Sequence, residues 1–148
     1  TGPLGLKTCI DRFVGYQNAL EQNGIKLNKS FIYEGDYHFQ SGYEAAKTMI
    51  KQKVTAIFAF NDMMAYGVIS GLRKNNIKIP DEMSIAGFDD IFFSELLDIP
   101  LTTVRQPTYE MGQEAARIII DEIKNGRKQS HHIVFEPELQ IRKSAKPI

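Results

Sequence analysis

The stretch 55–72, TAIFAFNDMMAYGVISGL, changes hydrophobic rhythm at its middle, and that change limits the architectures open to the chain. Ala56 to Phe60 is an apolar run without alternation, the pattern of a strand covered on both faces in a parallel sheet. Asn61 and Asp62 interrupt it. Asn61 can accept a hydrogen bond from a free helical N–H, and Asp62 suits the positive end of a helix. The residues that follow read as helix. A buried strand passing through a polar turn into a capped helix is half of a βαβ unit, and open α/β sheets hold ligands at turns of this kind.

The helix itself is apolar nearly all round, with Met64, Val68 and Leu72 on one stripe and Tyr66, Ile69 and Arg73 on another, whereas a surface helix should show a polar face. Gly67 and Gly71 each cost about 1 kcal/mol of helix propensity relative to alanine, so something is expected to pack closely there. Two coverings fit the pattern equally: a second subunit, or another part of the same chain.

A chain of 148 residues with 43% hydrophobic and 24% charged side chains can bury one ordinary core and is too apolar for disorder, so a single domain is expected. Its 18 basic and 18 acidic side chains cancel. There is no positive footprint for a phosphate backbone or an anionic membrane, and this chain alone is not expected to hold DNA. Cys9, the only cysteine, rules out an internal disulfide and every CxxC pattern; it reads as a buried small hydrophobe in a reducing cytoplasm. No stretch approaches the roughly 18 apolar residues of a membrane span, and TGPLGLKTC lacks the basic and apolar regions of a signal peptide, so an unexported cytoplasmic protein is expected.

In chain order, Ile10, Phe13, Val14, Ala19 and Leu20 give Cys9 to Gln22 helical spacing, with Gly24 as its stop. Phe31 to Glu34 reads as a short strand ending in Gly35-Asp36-Tyr37. Ser41-x-x-Glu44 has the form of a capping box and opens a helix through Ala45, Ala46, Met49 and Ile50, leaving Gly35 to Gln40 as loop. After the turn Ile79-Pro80-Asp81-Glu82 comes a strand, Met83 to Phe88. The following Phe92, Phe93, Leu96 and Leu97 form a loop so apolar that it should pack on something. Leu101 to Val104 is a fourth strand, broken at Gln106-Pro107. An amphipathic helix from Tyr109 to Lys124, with Met111, Ala115, Ile118 and Ile119 on its apolar face, stops at Asn125-Gly126. Short strands at Ile133–Phe135 and Leu139–Arg142 precede a polar tail.

Three strand ends thus present Asp36/Tyr37, Asn61/Asp62 and Asp89/Asp90 toward one edge of a parallel sheet. Carboxylates and amides grip hydroxyls while an aromatic face covers the C–H side of a ring, so the rim suits sugars and similar polyols. Turn and cap roles compete with this reading. Asp89, directly after its strand, is better placed for ligand hydroxyls; Asp90 reads as an acceptor that stiffens the loop. Taken alone, Arg12 reads as a solvated arginine. His38, His131 and His132 lack metal-ligand spacing, and neither a Gly-rich phosphate loop nor a Gly-x-Ser-x-Gly elbow occurs. Asp89 and Asp90 lack the further ligands of a metal site and the geometry of an acid/base pair. The expectation is a protein without enzymatic activity, metal or cofactor.

Five sequence words carry a resemblance across nearly the whole chain: Arg12-Phe-Val-Gly-Tyr-Gln-Asn-Ala-Leu; Glu34-Gly-Asp-Tyr with Ser41-Gly-Tyr-Glu-Ala-Ala; Thr55-Ala-Ile-Phe-Ala-Phe-Asn-Asp-Met-Met-Ala-Tyr-Gly; Ile79-Pro-Asp-Glu-Met-Ser-Ile-Ala-Gly-Phe-Asp-Asp; and Pro100-Leu-Thr-Thr-Val-Arg-Gln-Pro. In this order and spacing they resemble the effector-binding core of the lactose/galactose-repressor (LacI/GalR) family.

The resemblance implies an α/β fold of the periplasmic-binding-protein-like type I kind, with three-layer parallel-sheet lobes and effector in the cleft between them. It implies that residues 1–105 form the second lobe. Residues 106–137 would be a crossover helix and strand that normally pack in the first lobe, and 138–148 a return strand and tail. Most of the first lobe and the DNA-binding domain would lie outside this chain, so operator DNA would be a partner only through that domain. The apolar face of the crossover helix would then be left without its usual cover. Effector contacts carried over by resemblance are Arg12, Tyr37 as the stacking aromatic, Asn61, Asp89, Gln106 and Phe60. A homodimer surface is carried over as Tyr66, Ile69, Ser70, Arg73, Phe92, Phe93, Leu96 and Leu97. The implied function is effector sensing in a cytoplasmic transcriptional regulator, the effector being a sugar or similar small molecule; the alternative is a solute-binding protein of a transport system.

Overall fold

Asn61 does what its place after an apolar run suggests. A computed structural model describes residues 1–126 and 130–147, and in it strand β1 (Ala56–Phe58) leads through Asn61 into a helix over Asp62–Lys74. The Asn61 Oδ1 accepts the N–H of Met64 at 2.9 Å, satisfying one of the free donors of the first turn. The helix returns the chain to β2 (Ser84–Ala86), which pairs in parallel with β1, Ile57 opposite Ile85. Single parallel bridges from Ala86 to Thr102 and from Asp89 to Arg105 bring β3 (Thr103–Arg105) alongside. Antiparallel β4 (Glu138–Gln140) closes on β3, Val104 opposite Leu139. Ser144 ties the tail into this sheet: its Oγ donates to the Ile85 carbonyl at 2.6 Å and accepts the Thr102 N–H at 2.7 Å. The fold is α/β.

The helices in chain order are α1 (Lys7–Gln22), α2 (Phe39–Lys51), α3 (Asp62–Lys74) and α4 (Thr108–Asn125). Met64, Ala65, Val68 and Leu72 of α3 form the core with Ala46, Ala59, Ile85 and Leu101. What packs closely on the α3 glycines is α2. A Cβ on Gly67 would stand 2.0 Å from the Phe39 carbonyl oxygen, and one on Gly71 2.6 Å from the Ala46 Cβ. Across the crossing, a Cβ on Gly42 would stand 2.0 Å from the Met64 carbonyl oxygen. The glycine stripe is therefore covered within the chain and does not call for a second subunit.

Four expectations are corrected. Ser41-x-x-Glu44 does not cap α2, which begins two residues earlier with His38 at the N-cap. The Asp36 carboxylate accepts the His38 N–H at 2.9 Å, a local turn that directs the chain into helix by Phe39. Ser41 is instead buried in the first turn, its Oγ donating to the His38 carbonyl at 2.9 Å. Phe31 to Glu34 is not a ladder strand: Asn28 nucleates a 3-10 turn over Lys29–Phe31, and among the described residues the Tyr33 carbonyl and the Gly35 N–H pair with Thr1. Ile133 to Phe135 makes no strand and has no sheet partner among the described residues. Finally, β1 is not covered on both sides; Ala56 is exposed and Ile57 and Phe58 are half-buried.

Helix α4 matches its expected span to within a residue at each end, and no residue in it is buried. Tyr109, Met111, Ile119, Ile120 and Ile123 all face solvent. Residues 127–129 of the segment 106–137, and Ile148 at the end of the tail, lie outside the described residues.

Candidate functional site

The carboxyl ends of β1, β2 and β3 and the loop before α2 meet at one rim. Asn61 joins two of them, since its Nδ2 donates to the Tyr37 carbonyl at 2.9 Å while Oδ1 caps α3. Its cap and rim positions coexist because an amide has both donors and an acceptor. Arg12 reaches in from α1. Its Nη1 donates to the Phe60 carbonyl at 2.7 Å, its Nη2 lies 3.6 Å from Asp89 Oδ1, and the guanidinium sits 3.9 Å from the centroid of the Phe88 ring. Held by a carbonyl, a carboxylate and a ring face, it is fixed rather than solvated.

Asp89 is the centre of the group. Its Oδ1 accepts from Gln106 Nε2 at 2.6 Å, and its backbone has φ of 115°, strained for a residue with a Cβ. Burial raises its carboxyl above the ordinary aspartate value, while the Gln106 hydrogen bond and the Arg12 charge oppose the rise. Asp90 follows with φ of 53° and does stiffen the loop: it pairs with Arg142 at 2.6 Å and Arg105 at 2.7 Å. Burial raises its carboxyl, and the two arginines outweigh that and bring it below the ordinary value.

Of the residues named from sequence, Arg12, Asn61, Asp89 and Gln106 are brought together with their polar atoms engaged at the rim. Two take other positions. The Phe60 ring is buried against Phe58, because it points into the core side of its turn, and only its carbonyl serves the rim. Tyr37, at φ of 68°, lays its ring so closely over Gly2 that a Cβ there would stand 2.2 Å from it, and its hydroxyl is buried without a hydrogen-bond partner. One face of that ring is thus already used inside the chain. Phe88, missed in the sequence, is the aromatic under Arg12; its place immediately before Asp89 was the available signal.

Asp62 was read only as a favourable helix-end charge, and it is more than that. It is fully buried and accepts from Ser94 Oγ at 2.5 Å, Thr103 Oγ1 at 2.6 Å and the Ile91 N–H at 3.0 Å. It thereby joins the start of α3, the 3-10 turn Phe92–Ser94 and β3. Two threonines in the apolar strand Leu101-Thr-Thr-Val were the clue, because buried hydroxyls require an acceptor.

On the outer surface, Phe92 is 72% exposed, and Phe93, Leu96 and Arg73 are exposed beside it. Tyr66 and Ser70 are half-buried, the Tyr66 hydroxyl lying 2.8 Å from Ser94 Oγ. Ile69 and Leu97 depart from the expected surface. Ile69 is only 5% exposed and belongs to the core, and Leu97 packs against that core, whereas Tyr66 on the same stripe of α3 is half-buried and Arg73 exposed. Among the described residues no group of three or more His, Cys, Asp or Glu is placed to hold a metal, and no helix is long and apolar enough to cross a membrane.

A parallel sheet whose strand ends gather a fixed arginine, a strained carboxylate and two amides defines an α/β ligand-binding lobe. The chain belongs to the periplasmic binding protein-like domain family, whose model matches residues 5–145, and within it is similar to the effector-binding part of LacI-family regulators. It is 36% identical over 143 residues to the HTH-type transcriptional repressor PurR of Photobacterium profundum, covering 95% of this chain and 43% of that protein. It is 35% identical over 149 residues to the HTH-type transcriptional repressor CytR of Escherichia coli, covering 99% and 44%. A LacI family transcriptional regulator from Enterococcus faecium with bound ribose superposes with a TM-score of 0.92 at 28% identity, covering 99% of this chain and 55% of that one. The chain spans less than half the length of the two curated relatives.

Proposed function

We propose that this chain is the effector-sensing and dimerisation portion of a cytoplasmic LacI-family transcriptional regulator, and that its effector is a sugar or a similar polyhydroxylated molecule. The observation that carries the proposal is Asp89, held at a strained φ between Arg12 and Gln106 at the rim of a parallel sheet. A carboxylate, a guanidinium and two amides offer the acceptors and donors that adjacent hydroxyls need. Residues 1–105 serve as the second lobe, and 106–137 cross toward a first lobe supplied by the rest of the protein, with α4 packing there. Residues 138–148 return to the sheet. Effector contacts are Arg12, Asn61, Asp89, Gln106 and the open part of Tyr37. The protein is not an enzyme; it acts by differential binding, the effector favouring one arrangement of the lobes and thereby shifting the operator affinity of a separate DNA-binding domain.

A thermal-shift panel of sugars and nucleosides on the full-length protein tests this. A ligand at 100 times its Kd stabilises by about 2.7 kcal/mol, a shift of several degrees. Asp89→Ala is expected to remove that shift and the change in operator affinity while leaving effector-free operator binding intact; an unchanged effector response would remove Asp89 from the site. The proposed dimer surface centres on Phe92, Phe93, Leu96 and Arg73, with Tyr66 and Ser70 at its edge. Phe93→Glu is expected to halve the mass in sedimentation equilibrium without unfolding the protein, since the ring is exposed in the single chain. A variant that stays dimeric would move the interface elsewhere.

A further inference from the structure

Arg12 makes one hydrogen bond among the described residues, from Nη1 to the Phe60 carbonyl at 2.7 Å. Its Nη2 stands 3.6 Å from Asp89 Oδ1, close enough for charge attraction and too far for a hydrogen bond. One such bond and a neighbouring charge leave a planar guanidinium free to turn. The contact that sets its plane is the Phe88 ring, whose centroid lies 3.9 Å from the guanidinium carbon. With the Arg12 side chain only 16% exposed, its remaining donors are largely cut off from water.

The strained backbone at Asp89 has a reason in this contact. Gly87 and Asp89 donate their N–H groups to the Thr102 and Val104 carbonyls, both at 2.9 Å, so they lie on the same side of one strand path. A Cβ on Gly87 would meet Asp62 Oδ1 and the Leu101 side chain, on the α3 face of the sheet. Side chains alternate along a strand, so regular geometry would send Asp89 to that face and Phe88 to the other, where Arg12 of α1 meets it. The φ of 115° at Asp89 breaks the alternation. Two consecutive side chains then reach one guanidinium, Phe88 at its face and Asp89 near its edge. Strain of this kind persists where the surroundings over-determine it, and it clusters at ligand sites.

We infer that Phe88 is a positioning residue of the rim: its ring holds the Arg12 guanidinium flat beside the Asp89 carboxylate, so that one ligand hydroxyl can donate to the carboxylate and accept from the guanidinium. The inference rests on the reading of this rim as the effector site. It adds that the orientation of the arginine, and not its charge alone, sets effector affinity.

The ligand-free full-length protein gives two readouts. The Arg12 Nε proton, close to a ring face, is expected upfield of other arginine Nε protons in the NMR spectrum. It should return to the common position in Phe88→Leu and stay upfield in Phe88→Tyr. The Asp89 carboxyl is raised by burial and by the Asp62 charge, while Gln106 and the Arg12 charge oppose the rise. Releasing Arg12 in Phe88→Leu should raise it further; loss of a ring that served packing alone would admit water and lower it. The third readout is binding of whichever of ribose, galactose, cellobiose and adenosine most raises the wild-type thermal midpoint. Phe88→Leu should bind it roughly tenfold more weakly, the scale of one partly desolvated cation–π contact, and Phe88→Tyr should restore it. Arg12→Lys keeps the charge without the flat fork and should lose as much. It leaves the sheet untouched, so the test stands even where Phe88→Leu is unstable. An Arg12 resonance unmoved by Phe88→Leu, a falling Asp89 carboxyl, or unchanged binding in Arg12→Lys overturns the inference. Asp89→Ala separates it from the effector reading: if that variant also binds unchanged, the effector reading fails and the inference with it.

Discussion

Asp62→Ala is expected to cost the full-length protein about 3–5 kcal/mol in urea unfolding, because it removes the shared acceptor of two buried hydroxyls and a half-buried N–H. The hydroxyls of Ser94 and Thr103 and the N–H of Ile91 all end on this carboxylate. Asp62, Ser94 and Thr103 are all fully buried, so water does not readily replace the carboxylate, and among the described residues only Ser94 has another hydroxyl beside it, that of Tyr66 at 2.8 Å. The packing is equally tight: a Cβ on Gly87 would stand 2.3 Å from Asp62 Oδ1. Loss of the carboxylate should also loosen the turn that carries Phe92 and Phe93, so the proposed dimer should weaken along with stability. An Asp62→Ala protein within 1 kcal/mol of wild type would show that these bonds are replaced without cost.

Asp62→Asn separates charge from shape. Burial raises the Asp62 carboxyl above its ordinary value, against the three hydrogen bonds that favour ionisation. The native state therefore keeps this proton to higher pH than the unfolded chain does. The group's contribution to stability falls as pH rises from the ordinary aspartate range through the raised value, then levels off. Asparagine has no such slope. The stability gap between wild type and Asp62→Asn should narrow as pH rises across that window, whereas a constant gap would mean that Asp62 does not titrate there.

The same residue illustrates what sequence could and could not reveal. Asn61 was legible as a cap because capping is local, set by three residues and a change of hydrophobic period. The span of α4 was legible for the same reason, its stop being Gly126 at a left-handed φ of 62°. Asp62 was not, because its acceptor role depends on Ser94 and Thr103, 32 and 41 residues away. Arg12 read alone as a surface side chain; only the family resemblance singled it out, and only the fold shows the Phe60 carbonyl and Phe88 ring that hold it. Ser41-x-x-Glu44 misled because an Asx turn at Asp36 started the helix earlier. Ile69 was assigned to the dimer surface by resemblance alone, because a helix apolar all round gives no sign of which residues the chain's own core will bury. The reading of β1 as a strand covered on both sides rests on composition, which does not say what covers each side; β1 pairs with β2 on one side and has no other strand partner among the described residues.

Gly67→Ala is the sharpest test of the α2–α3 crossing, since two opposing effects have known size. Alanine gains about 1 kcal/mol of helix propensity over glycine. Its Cβ, however, would stand 2.0 Å from the Phe39 carbonyl oxygen and 2.7 Å from the Tyr43 nitrogen. Both are backbone atoms and cannot swing aside as a side-chain end could. Helix α2 must move as a body, which also opens the contacts of Gly42 with Met64 and of Gly71 with Ala46. A net loss of about 2–3 kcal/mol is expected, the overpacking cost exceeding the propensity gain. Gly15, inside α1 with nothing within 4 Å of an added Cβ, supplies the control: Gly15→Ala should gain about 0.5–1 kcal/mol from propensity alone. Moving α2 has a functional consequence as well, because the helix begins just after Tyr37, whose carbonyl anchors Asn61. Effector affinity should therefore fall with stability in Gly67→Ala and stay unchanged in Gly15→Ala. If Gly67→Ala were as stable as wild type, the close helix crossing would not be the reason for glycine at that position.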